Sequence, residues 1–132
     1  MPALEELAER ISKIGTLQVH VHAAETHRLN SILEVSIYRA CQEWITNISK
    51  YATASQVHLN IIHDAPTLSV TIEDDGLGFN PQMLNQGNGN GWKNIQSRIQ
   101  LHEGTVWVDS EPGKRGSTLL MEVPLDVQRK VA

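Results

Sequence analysis

The sequence predicts an α+β domain: a two-layer α/β sandwich in which a mixed, mostly antiparallel sheet of about five strands packs on three helices. Three observations carry this expectation. Strand-like segments recur over 17–23, 57–63, 68–74, 105–110 and 117–123. Apolar residues at spacings of three and four mark helices over 3–14, about 31–52 and 92–102. The two patterns come in blocks, with no internal repeat, low-complexity tract or interdomain linker between them, as a layered α+β chain requires. A length of 132 residues fits one domain.

Taken in order, Leu4, Leu7, Ile11 and Ile14 form the stripe of the first helix, and Gly15 is its stop. Residues 1–14 are expected to act as a junction ahead of the main domain, 15–132. Leu17, Val19 and Val21 alternate with Gln18, His20 and His22 in the first strand. Asn30 or Ser31 caps the long helix, with Glu34 placed for a capping box with Ser31. Its stripe is Ile37, Cys41, Trp44, Ile45, Ile48 and Ala52. Residues 57–63 and 68–74 flank a turn and read as a hairpin. Residues 79–91 are rich in Asn and Gly and are expected to be a loop without regular structure. Trp92, Ile95, Ile99 and Leu101 mark the third helix, stopped by Gly104, and a turn through Pro112 and Gly113 joins the last two strands.

Hydrophobic residues make up 40% and charged residues 20%, ordinary globular usage that argues against a largely disordered chain. The formal net charge of −4 argues against a nucleic-acid partner, which calls for a concentrated basic surface. A phosphate ligand remains compatible, since a metal ion and a few placed cations dominate locally. Cys41 is the single cysteine, expected as a buried core thiol in a reducing compartment. Neither a signal peptide nor an apolar run near the roughly 20 residues of a membrane helix is visible. The segment is therefore expected to be soluble and cytoplasmic without direct membrane contact, although a parent protein can be membrane-anchored.

The polar face of the long helix carries a distinctive column. Glu43, Asn47 and Lys50 are spaced i, i+4 and i+7, within roughly 60° of arc. An amide or carboxylate oxygen suits Mg²⁺, and an ammonium one turn on suits a phosphate. A solvated helix face would give the same spacing. Asp74-Asp75-Gly76-Leu77-Gly78 ends a strand with a carboxylate able to accept from an exocyclic amine, next to glycines that permit close backbone approach. A plain turn is the alternative. Gly87-Asn88-Gly89-Asn90-Gly91 opens a helix, where free N–H groups and the helix dipole favour an anion. Gly113 to Thr118 lacks the spacing and the strand-to-helix context of a phosphate-binding loop and is expected to be a hairpin turn. His20 and His22 share one strand face, but no Cys or carboxylate cluster joins them in the sequence, so a metal site is not expected there.

The order of these motifs resembles that of the GHKL ATPase superfamily, and within it the catalytic domain of sensor histidine kinases of the nitrate/nitrite-sensor and desaturase-sensor type. The resemblance covers about residues 15–125. EWITNISKYA is similar to the N box, DDGLG to the G1 box, GNGWKNIQSRI to the G2 box and its helix, and GTVWVDSEPGKRGST to the closing hairpin. Tyr51 stands where this subgroup usually has His, Trp92 where it has Leu, and Gly116-Ser117 where it has Gly-Thr. The resemblance implies the Bergerat ATP-binding fold with ATP and Mg²⁺ as cofactors. It implies that Asn47 ligates Mg²⁺, that Glu43 acts as or positions the base, and that Lys50 contacts phosphate. It further implies that Asp74 binds the adenine amino group, that Gly76 and Gly78 shape the pocket floor, and that Gly89 and Gly91 belong to a lid over the phosphates. Ser117 or Thr118 would support adenine. The implied partners are a dimerisation and phosphoacceptor domain, which carries the substrate histidine, and a downstream response regulator. An anti-sigma-factor-type serine kinase and a non-catalytic ATP-binding sensor module are the alternative functions.

Overall fold

A computed structural model describes residues 2–23, 29–51, 53–64, 66–85 and 91–125. Helix α1, Pro2–Ile14, opens on a proline, whose missing N–H costs nothing at the first helical position. Leu4, Leu7 and Ala8 are buried, but Ile14 is 75% exposed and lies outside the stripe expected for it. Gly15, at φ 92°, ends the helix in a conformation that favours glycine. The Ser12 hydroxyl then accepts from the Val19 N–H at 3.0 Å, which ties α1 to strand β1, Gln18–Ala23.

Helix α2, Ser31–Tyr51, is capped by Asn30, whose Oδ1 accepts from the Ile32 N–H at 2.8 Å. Ser31 is already helical and the Glu34 N–H donates to the Asn30 carbonyl, so the expected Ser31–Glu34 box gives way to an asparagine cap. Ala52, expected near the helix end, lies outside the described residues. Strands β2, Gln56–Asp64, and β3, Thr67–Asp74, form the expected hairpin. The segment expected to be irregular contains a short 3₁₀ helix, Pro81–Asn85. Asn80 starts it: its Oδ1 accepts from the Gln82 N–H at 3.0 Å, and Pro81 takes the first helical position. Helix α3, Gly91–Gln100, stops two residues before the expected end, because His102 and Gly104 both turn their N–H groups back onto the Ile99 carbonyl. Leu101 consequently falls in that turn and is 79% exposed, not part of the apolar stripe. Strands β4, Thr105–Asp109, and β5, Ser117–Pro124, are the last of the described elements.

The five strands form one sheet in the order β1-β2-β3-β5-β4. Only β1 and β2 are parallel, because α2 connects them as a crossover; the other neighbours are antiparallel. Val57, Leu59, Ile61, Leu68, Val70, Ile72, Leu119, Met121 and Val123 face the helices and are buried. They meet Leu33, Ile37, Trp44, Ile45 and Ile48 of α2 and Ile95 and Ile99 of α3 in one core, which also takes in Leu4 and Leu7 of α1. Each aliphatic side chain so buried contributes about 1.5–3 kcal/mol. Cys41 is wholly buried on α2, and burial pushes its thiol up to about 12, which leaves it protonated and unreactive. Among the described residues, the other face of the sheet carries no helix layer, and His20, His22, His58, Ile62 and Trp107 stand exposed on it. Among the described residues no helix is long and apolar enough to cross a membrane.

Candidate functional site

Topology alone brings the long helix and the strand-ending carboxylate to one end of the domain. Helix α2 ends at Tyr51, β2 begins at Gln56, and Val57 pairs with Asp74. The last turns of α2, which carry Asn47 and Lys50, therefore lie at the end of the sheet where β3 finishes. The chain leaving β3 then crosses over α2: the Phe79 ring sits 6.2 Å from the Trp44 ring, and Trp92 at the start of α3 sits 6.1 Å from it. Trp44 joins three segments far apart in the sequence.

On α2, Glu43 and Asn47 are half-buried and Lys50 is exposed. Gly91, the first residue of α3, rests against the first two. A β-carbon placed on Gly91 would lie 2.8 Å from Glu43 Oε1 and 3.3 Å from Asn47 Nδ2. Only a glycine allows this approach without moving either side chain. The start of α3, with its free N–H groups, is thereby seated beside a carboxylate and an amide. These are hard oxygen donors of the kind Mg²⁺ selects. Lys50 is not drawn into that contact, and Gly89 lies outside the described residues.

Asp74 is only 8% exposed, on the helix side of the sheet. Burial raises its carboxyl above the ordinary range; the Gly76 N–H, which donates to Oδ1 at 2.9 Å, opposes this, and the Asp75 charge adds to it. Asp75 behaves oppositely. The Gln56 N–H, the Ser55 hydroxyl and the Ser55 N–H all donate to it, at 2.9, 2.7 and 2.8 Å, and hold it down to about 2. Asp75 thus staples the start of β2 to the end of β3. Its folded pKa is depressed, so its stabilisation is present above the unfolded value of about 3.9 and is lost as pH falls toward the folded one. Thermal melts between pH 2 and 7 should show this acid-side loss in the parent, and Asp75→Ala should lower Tm near neutrality while flattening the slope. An unchanged slope would exclude the staple.

Ser117 pairs with Asp74 across the β3–β5 ladder and faces the helices with it, whereas Thr118 pairs with Glu73 and faces the other way. Of the two candidates, only Ser117 shares the carboxylate's side. Its hydroxyl lies 2.7 Å from that of Ser110, which also accepts from the Phe79 N–H at 2.9 Å. The glycines of the strand-ending segment serve the chain itself. The Gly76 carbonyl accepts from the Gly116 N–H at 2.8 Å, and a β-carbon on Gly78 would run into the backbone carbonyls of Glu111 and Lys114. Gly78 is therefore needed so that this loop can lie against the β4–β5 turn. A cavity of about 320 Å³ opens at this end, lined by Glu73, Asp109, Lys114 and Arg115 together with Asp74 and Ser117. Glu73 and Asp109 belong to the open face, and the lining includes neither Glu43 nor Asn47. This cavity is a feature of the β4–β5 turn, and its size does not make it the site.

Asp75, Ser110, Phe79 and Trp44 were not expected at the site. Alternation gives part of the signal: Ser110 continues the inward parity of Val106 and Val108. Nothing local marks the Asp75 staple, whose partners are 19 and 20 residues away.

Residues 32–127 match the family model described as histidine kinase-, DNA gyrase B-, and HSP90-like ATPase. The chain is 26% identical over 107 residues to the signal transduction histidine-protein kinase/phosphatase DegS of Brevibacillus brevis, covering 81% of this chain and 27% of that protein. It is 31% identical over 132 residues to a sensor-like histidine kinase of Chloroflexus aurantiacus, covering 93% of this chain and 22% of that protein. The chain thus spans about a quarter of the length of these relatives. Among solved structures, the histidine kinase domain of the Erythrobacter litoralis EL346 blue-light activated histidine kinase superposes with a TM-score of 0.82 at 25% identity, covering 97% of this chain and 62% of that one. The Acinetobacter baumannii histidine kinase AdeS, at a TM-score of 0.77 and 14% identity over 95% of this chain and 64% of that one, shares the fold.

Proposed function

Because the chain belongs to the histidine kinase-, DNA gyrase B-, and HSP90-like ATPase family, we propose that it is the ATP-binding catalytic module of a sensor histidine kinase. It passes the γ-phosphoryl group of ATP to a histidine on a separate dimerisation domain, from which a response regulator receives it. A cytoplasmic position, where ATP and such a regulator are found, goes with this reading. The observation that carries it is the seating of Gly91 on Glu43 and Asn47, at the end of the sheet where β3 delivers Asp74.

Phosphoryl transfer needs positioning and charge neutralisation more than covalent help from the protein. Asp74 accepts from the adenine amino group and fixes the base at the end of β3. Ser117, on the same face, supports that contact. Asn47 would hold Mg²⁺, which when bound would spread the negative charge of the phosphates. Lys50, exposed at the end of α2, reaches the phosphates from solvent. Gly91, seated on Glu43 and Asn47, lets the start of α3 move with nucleotide. The acceptor imidazole forms an N–P bond while the bond from the γ-phosphorus to the ADP oxygen breaks, and Glu43 takes or orients the imidazole proton.

The test combines two measurements. Asn47→Ala should remove the tightening of ATP binding by Mg²⁺, read by calorimetry with and without the metal. The parent, mixed with ATP and a separately expressed acceptor hairpin, should give an acid-labile, base-stable phosphoprotein, and Asn47→Ala should give at least about 100-fold less. An acid-stable product on an anti-anti-sigma protein instead would establish the serine-kinase reading. ATP binding without transfer to either acceptor would establish a sensor module.

A further inference from the structure

The open face of the sheet carries a cluster of imidazoles unconnected with the nucleotide reading. His20 and His22 are two residues apart on β1, so both project from that face. The parallel register places His58 of β2 directly beside His20. The His20 and His58 rings lie 4.8 Å apart, and the His22 and His58 rings 5.2 Å apart. All three side chains are exposed. His22 Nε2 is 3.0 Å from His58 Nδ1, and His20 Nε2 is 2.7 Å from Gln56 Oε1. The antiparallel register on the other side of β2 puts Glu73 opposite His58.

We propose that His20, His22 and His58 form a binding site for an imidazole-preferring divalent metal, Zn²⁺ above all, on the open face of the sheet. Zinc takes imidazole nitrogens at about 2.0–2.1 Å, which sets two ligating nitrogens roughly 3.3 Å apart at the tetrahedral angle. The His22–His58 nitrogens already lie at nearly that separation. A pair of histidines at i and i+2 on one strand with a third on the adjoining strand gives three ligands on one face, and water can take the fourth position. Glu73 supplies a carboxylate within cross-strand reach of His58, suited to orient its ring. Among the described residues no group of three such side chains is already arranged to hold a metal ion, and His22 and His58 share a hydrogen bond, so the rings must turn to form the site. Exposed rings reach the metal by rotation about their side-chain bonds, without movement of the backbone. The bound ion would clamp the edge strand β1, which follows directly from α1, onto β2.

The test uses the untagged chain without nucleotide, titrated with zinc chloride by calorimetry and by thermal melting. The expected result is saturable binding of one Zn²⁺ per chain and a rise in Tm of at least about 3 °C at saturation. His22→Gln and His58→Gln should each weaken binding at least about tenfold and abolish the rise, whereas His63→Gln should leave both unchanged. The metal-free melts show whether each variant is folded. Absence of a saturable heat in the parent, equal affinity in parent and His58→Gln, or an equal loss in His63→Gln would overturn the site.

Discussion

Asp74→Asn is expected to weaken Mg-ATP binding by about 10- to 100-fold, the loss of one charge-assisted hydrogen bond of about 1.5–3 kcal/mol. The substitution is close to isosteric and leaves the local backbone its partner. The Gly76 N–H needs an acceptor at Oδ1, and an asparagine oxygen provides one. That requirement turns the asparagine NH₂ to the position of Oδ2, where a donor would face the donor of the adenine amine. Stability should move the other way. Burial raises the folded pKa of Asp74. An acid whose folded pKa is raised contributes stability below its unfolded value, and that contribution is lost as pH rises through the folded pKa. Burial works against the ionised form of Asp74, so the neutral Asn should leave Tm unchanged or higher. Calorimetry with Mg-ATP beside a melt separates the two effects. Equal affinity in parent and variant would remove Asp74 from the nucleotide site.

Gly78→Ala should cost more stability than alanine at Gly91 or Gly104, whose added carbons would have more room. The new carbon would collide with the carbonyls of Glu111 and Lys114, which are backbone and cannot rotate aside. The β4–β5 turn cannot retreat freely either. The Gly116 N–H donates to the Gly76 carbonyl, and the Lys114 N–H donates to the Glu111 carbonyl. Overpacking of this kind costs about 1–3 kcal/mol or more, a fall of roughly 5–15 °C in Tm for a domain of this size. Leu77→Ala, next door but 59% exposed, should change Tm by no more than about a degree or two. A Gly78→Ala melt matching the parent would show that the loop does not lie against the turn.

The two experiments probe different consequences of one short segment. Asp74 follows the inward parity of Leu68, Val70 and Ile72, so its burial and its side of the sheet are dictated by strand alternation. Gly78 and Asp75 lie beyond the strand, where alternation no longer applies. Their partners come from the β4–β5 turn and from the start of β2. The same division separates Glu43 and Asn47, whose shared helix face follows from a spacing of four, from Lys50. The lysine shares that face in sequence but remains exposed, because Gly91 rests one turn earlier on the helix.

By itself the sequence determined the three helices, the five strands, the two layers and the alternation of the first three strands. These follow from local periodicities of 3.6 and 2 residues, which any short window displays. The positions of helix ends depended on single caps. Asn30, Asn80 and the turn after Gln100 settled them through hydrogen bonds that periodicity does not contain. Only the tertiary structure decided that Ser117 rather than Thr118 accompanies Asp74, that Gly91 seats on the α2 column, and that His58 joins His20 and His22. Each of these is fixed by strand register or by the packing of one helix on another. Register and packing are set by contacts between residues distant in the chain, and no local pattern encodes them.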